Sequence, residues 1–194
     1  MLGNAWKVKA RIARYWRVLF RLGRNVLALV GLGVIIFHFC FDLSVVVSGS
    51  MSPTLRGERS ETTERDWVLS ERVSYRFRSP RRWEVAKFRL RDETPVFKRI
   101  VAMPGETVTV KDLHLVINGS ALSPPPSLGF LKYYGWGNLQ GGRSFECSNG
   151  YYFLGDDSRD SVDSRFEGTV RLEDLSARAW LIVWPLNRIG LVNP

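Results

Sequence analysis

Apolar residues crowd one end of the chain and alternate with polar ones along the rest. From Val26 to Phe41 the sequence VLALVGLGVIIFHFCF holds 16 residues without a formal charge, and the apolar character resumes after Asp42 in LSVVV. An α-helix rises about 1.5 Å per residue and needs roughly 20 residues to cross a hydrocarbon core of ~30 Å. Extending the run back over Leu22 and Gly23 supplies the missing turn, because Arg21 and Arg24 can carry their charges out to the headgroups while their stems stay in lipid. The pattern therefore predicts one transmembrane helix over residues 22–41. A buried core helix and a cleaved targeting segment present the same order of residues. Against the second, the run exceeds the usual apolar region of such segments, and no small-x-small pair closes it before Ser48.

From Leu43 onward the period changes to that of strands. LSVVV, WVLSERV, WEVAKFRL, PVFKRIVAM, ETVTVKD, LHLVING, GYYFLG and AWLIVW are short and β-branched or aromatic, and many alternate. Ser79-Pro80, Pro104-Gly105, Asn118-Gly119, Pro124-Pro125-Pro126 and the glycine-rich YYGWGNLQGG punctuate them. The expectation is a mainly β domain over residues 42–194, with curled antiparallel sheets or a partly open barrel. Its prolines and glycines mark about 111–149 as an inserted flap or hairpin region.

Charge adds a direction. Of the formal +9, seven bases fall in residues 1–24 with no acid among them, which leaves +2 for the remainder. A basic flank beside a span predicts that residues 1–21 stay on the cytoplasmic side, and that the β domain is exported. A basic tail also suits nucleic acid, but its place against an apolar span favours a topological role. Cys40 and Cys147 lie too far apart in kind and position to form a disulfide framework.

Candidate chemistry is sparse. His38 lies in the span and His114 in DLHLVING, and neither has Cys, Asp or Glu at a metal-ligand spacing. A serine nucleophile thus needs another base. In PVFKRIVAMPGE alternation puts Lys98 on one face with Val96, Ile100 and Ala102, where desolvation lowers an amine's pKa and a neutral amine can deprotonate a serine. An edge-strand lysine reaching water fits the same pattern. The acidic run GDDSRDSVDSR, Gly155 to Arg165, lacks the alternate acids and closing Glu of a calcium loop, and its two arginines point to internal pairing or a solvated turn.

Taken in order, SGSMSPTL, FKRIVAMPGETV and GDDSRDSVDSR resemble the three motifs of the type I signal peptidases, membrane-anchored serine proteases that remove signal peptides. RRWEVAKF, Arg81 to Phe88, is similar to the family's R-G-D-containing strand. The resemblance implies Ser50 as nucleophile, Lys98 as general base, and Ser48 with the Ser50 N–H as oxyanion hole. It implies that Ser161 orients the lysine by a hydrogen bond, that Asp163 and Arg165 brace the acidic loop, and that Asp156 pairs with Arg99. Met51 is implied near the site, followed by a turn at Pro53 and Thr54. Alternation along a strand would put Ser48 and Ser50 on one face, converging on one carbonyl. Three departures stand out: Val47 where proline is usual, Asp157 for asparagine, and Trp83 for glycine. They leave open whether Arg159 or Arg171 compensates Asp157 and whether the Trp83 turn differs.

The implied substrates are signal peptides of exported preproteins cut after small-x-small sites, with Val46, Val47, Phe97 and Ile100 as pocket walls. The implied partner is a lipid bilayer, such as a bacterial plasma membrane, with no nucleic acid, metal or other cofactor. A Ser-Lys peptidase dedicated to one substrate, a soluble self-cleaving repressor relative and a non-catalytic binding domain remain the rival readings.

Overall fold

The computed structural model describes residues 5–58 and 64–192, with side chains from Arg14 onward. It divides into two compact units, Met1–Cys40 and Phe41–Pro194. The first is helix α1, Ala5–Cys40. Its part from Arg14 to Cys40, 27 residues, is long and apolar enough to cross a membrane and is exposed along its length. The helix expected over 22–41 is thus the second half of a longer one. The sequence ARIARYWRVLFRL carries good helix formers and no proline, so nothing stops the helix before the basic residues. Residues 1–4 of the expected tail lie outside the described part. The last residue expected in the span, Phe41, instead opens strand β1, Phe41–Val45.

The second unit is built from antiparallel strands. β2 (Trp67–Glu71), a short helix α2 (Ser74–Phe77), β3 (Val85–Arg89) and β4 (Pro95–Ala102) follow β1. After β5 to β8, described below, come β9 (Tyr152–Leu154), α3 (Ser164–Glu167), β10 (Leu175–Trp184) and β11 (Gly190–Leu191). The main sheet runs β1-β2-β10-β3-β4-β9, with β11 on β10. Register shifts along β10 at Ala179/Leu181 and Ile182/Trp184 bend it, as bulges do. The sheet curls without closing, and β1 and β9 remain as edges. The expected flap forms a second sheet, β7-β6-β5-β8, that starts earlier than residue 111. Its strands are β5 (Thr107–Lys111), β6 (His114–Ile117), β7 (Ser120–Leu122) and β8 (Phe145–Glu146). Asn118 and Gly119, at φ 50° and 79°, make the two-residue hairpin between β6 and β7.

Alternation along β4 sorts the core. Phe97 joins Val46, Met51, Leu55 and Val85 in one apolar cluster. Ile100 joins Ala86, Phe88 and Phe153 in another, and Val101 joins Trp83, Tyr133 and Leu154 in a third. Each such side chain contributes about 1.5–3 kcal/mol on burial. Trp83 has φ 73°, a left-handed conformation that glycine adopts freely and other L-residues adopt at a cost. The turn therefore keeps the backbone shape expected of glycine, and the indole fills core space that glycine would leave empty.

Candidate active site

Ser50 sits in a single 3-10 turn, Gly49–Met51, three residues beyond the end of β1 and closed by Ser52 N–H donating to the Gly49 carbonyl at 2.9 Å. Ser48 precedes this turn, and its hydroxyl lies 3.1 Å from that of Ser50. The two serines do converge, but through the turn and not through the strand alternation expected from sequence. In so short a turn the first N–H groups have no partner within it, which leaves the Ser50 N–H available beside the Ser48 hydroxyl. Ser50 is buried and Ser48 exposed.

Lys98 comes from the middle of β4 and is 2% exposed. Its Nζ lies 2.5 Å from Ser50 Oγ. Burial pulls its pKa down from 10.5 to about 8; Asp163 opposes this, Arg165 assists it, and Asp156 and Asp160 oppose it further. An amine in this state is neutral often enough near neutral pH to accept a proton from the hydroxyl it touches.

The acidic run leaves β9 and folds back against both groups. Arg165 donates from Nε to Asp163 Oδ1 and from Nη2 to Asp163 Oδ2, each at 2.8 Å. The same carboxylate also accepts from Gly155 N–H at 3.0 Å and from the Ser161 hydroxyl at 2.7 Å. Asp163 and Arg165 have no side-chain exposure, so the pair is isolated from screening by water. Ser161 gives its single hydroxyl proton to Asp163, two residues away, and among the described residues no bond joins it to Lys98. Asp156 binds Arg99 through two bonds of 2.7 Å, and Thr54 donates to Asp156 at 2.5 Å while accepting from Arg99 at 3.1 Å. Arg99 Nη1 donates to the Trp83 carbonyl at 2.6 Å. Two paired guanidiniums therefore neutralise the carboxylates closest to Lys98. Asp157 has Arg159 3.6 Å away, whereas Arg171 bonds Glu173 and Asp174.

Sequence reasoning missed Ser158. Its buried hydroxyl accepts from Arg165 Nη1 at 2.8 Å and from Tyr134 N–H at 2.9 Å, while Arg165 Nη1 also donates to the Tyr134 carbonyl at 3.0 Å. The segment after β7 thereby grips the acidic run from outside. The only sequence signal was the unusual density of aromatic and glycine residues in YYGWGN. Of the expected wall residues, Val46 and Phe97 share a cluster near Ser50, Val47 is 59% exposed, and Ile100 has no exposed surface. Ile100 stands on the face of β4 opposite to Phe97, so it contributes core and not wall. Among the described residues no group of three or more His, Cys, Asp or Glu is placed to hold a metal ion.

Gly155 marks where the acidic run crosses the nucleophile turn. A Cβ there would stand 2.5 Å from the Ser50 carbonyl oxygen and 2.3 Å from Ser161 Oγ. Gly155→Ala must push the two segments apart, and a displacement of ~1 Å at reacting groups lowers rates roughly 100-fold. Steady-state kinetics of that variant should show the loss in kcat, with KM changing little.

A hydroxyl held against a buried amine, beside preorganised donors, is the constellation of serine hydrolases that use lysine in place of histidine. Residues 19–184 match the family described as "Signal peptidase, peptidase S26", and the chain belongs to that family of serine endopeptidases. It is 30% identical over 184 residues to the Synechocystis sp. protein named "Probable signal peptidase I-2", covering 89% of this chain and 76% of that one. It is 32% identical to signal peptidase I of Leptolyngbya laminosa, covering 85% and 81% respectively. A crystal structure of a signal peptidase I from Enterococcus faecalis is 29% identical, with a TM-score of 0.43, over 52% of this chain and 97% of that one.

Proposed function

We propose that the protein is a membrane-anchored signal peptidase that cuts signal peptides from exported preproteins after small-x-small sites. The observation that carries this reading is the 2.5 Å approach of Lys98 Nζ to Ser50 Oγ, with Lys98 2% and Ser50 6% exposed. Lys98 takes the Ser50 proton as Oγ attacks the scissile carbonyl. The resulting oxyanion is held by the Ser50 N–H and the Ser48 hydroxyl, an interaction worth roughly 3 kcal/mol per donor. Collapse breaks the C–N bond, Lys98 returns the proton to the leaving amine, and the signal peptide stays on Ser50 as an ester. Water, deprotonated by Lys98, then attacks the ester, and its collapse releases a carboxylate and restores Ser50.

In this reading residues 1–21 remain cytoplasmic, 22–41 span a plasma membrane, and 42–194 work on the exported face. The seven Lys and Arg among the first 24 residues support that orientation. Full-length protein reconstituted in lipid vesicles should cut a preprotein at one junction, with small residues at the first and third positions before it. In vesicles where that domain faces outward, added protease should remove it and spare the tail. A preprotein left intact under these conditions would refute the assignment.

A further inference from the structure

The face of the main sheet beside the nucleophile is not uniformly apolar. Among the described residues β1 pairs with β2 and no other strand pairs with it. On β4, β9 pairs from Arg99 onward, and among the described residues no strand pairs with Pro95–Lys98 on that side. The curl of the sheet brings these two edges together, and three contacts cross between them. Ser50 meets Lys98. Val46 and Phe97 share a cluster. Farther along, Lys87, opposite Phe97 in the β3–β4 register, donates to Ser44 Oγ at 2.6 Å and to the carboxylate of Asp42.

An extended peptide laid along this gap presents alternate side chains to the floor, about 6.7 Å apart. Val46 and Ser44 are two residues apart, so they match that spacing. The side chain just before the cut meets Val46 and Phe97, and the one two residues earlier meets Ser44 and Lys87. The Lys87 ammonium carries three N–H donors, and two are used. Its Nζ also stands 5.9 Å from the centroid of the Phe97 ring. Arg72 also donates to Asp42, at 3.2 Å, so two cations face one carboxylate. Burial raises the Asp42 pKa, but the bonds from Lys87 and Ser44 and the charges of Lys87 and Arg72 outweigh that and hold it below the usual carboxylate range. Asp42 therefore stays ionised and fixes Lys87 in place.

We propose that Lys87, braced by Asp42 and by Ser44, which itself donates to Asp42 at 2.9 Å, binds the side chain of the third substrate residue before the cut. The site selects there a small side chain ending in oxygen, a hydroxyl or a carboxylate, over an apolar one. This inference rests on the peptidase reading and narrows its substrate class. It also excludes a purely aliphatic pocket at that position, because a desolvated ammonium facing a methyl group would lose water without gaining a partner.

The test is a preprotein panel differing only at that third position, with Ala, Val, Ser or Asp, processed by the full-length protein in detergent micelles. The ratio of kcat/KM between panel members is read within each enzyme, so general losses from a substitution cancel. The parent should prefer Ser and Asp over Val by about tenfold or more. Lys87→Met should bring that ratio to one or invert it, and Lys87→Arg should retain it. Equal or better cutting of the Val substrate by the parent overturns the subsite, as does an unchanged ratio in Lys87→Met. Cutting of the whole panel with flat ratios sinks only the subsite, whereas a panel left uncut by the parent sinks the peptidase reading beneath it.

Discussion

Ser50→Ala and Lys98→Met should each lower preprotein cleavage by roughly 10⁴-fold or more, and the double variant should be hardly worse than either, because nucleophile and base act as one unit. The pH profile of the parent distinguishes this dyad from a serine activated otherwise. With Lys98 at about 8, about a tenth of the amine is neutral at pH 7 and half at pH 8, so kcat/KM should climb roughly fivefold between them and level off above pH 9. A flat profile across that range would remove Lys98 from the role of base. Stability moves with the same group. The folded pKa lies below the 10.5 of the exposed amine, so between about 8 and 10.5 the unfolded chain binds more protons, and stability rises with pH. Below that window the full cost of the buried cation, about 3 kcal/mol, is present. Lys98→Met lacks it, so this inactive variant should unfold at higher denaturant concentration than the parent at pH 7, with the difference shrinking as pH approaches 10.5.

Much of this architecture is legible in the sequence because it depends on local periodicity. The switch from an apolar run to alternation separates α1 from the strands, and alternation places Lys98 among aliphatic neighbours. What is not legible depends on where segments meet. α1 begins at Ala5 and not near Leu22, since membrane-crossing length says nothing about where a helix must start. Ser161 donates to Asp163, two residues away, and nothing in the spacing of the acidic run says which partner its hydroxyl meets. Alternation along β4 already separates Ile100 from Phe97, and the two pack in different clusters. Ser44 and Lys87 are 43 residues apart, and their strands are separated in the sheet by β2 and β10. Only the curl that brings β1 back over β3 makes them neighbours, and no pattern along the chain encodes that.

Arg165→Met should be the most damaging change outside the dyad. It leaves Asp163 buried with no guanidinium, and breaking such a pair costs about 3–5 kcal/mol. It also removes donors from Ser158 and the Tyr134 carbonyl, loosening the outer grip on the acidic run. A purely structural role predicts a lower unfolding midpoint with the remaining activity titrating as before. The arrangement around Lys98 predicts more. Asp163 raises the Lys98 pKa and Arg165 lowers it, so the variant faces the amine with an uncompensated carboxylate, and the rising limb of its pH profile should move above 8. Adding Asp163→Asn removes the stranded charge, so the double variant should recover part of the stability and bring the limb back down. A limb that stays fixed in both variants would show that the Asp163–Arg165 pair holds the loop without tuning the base.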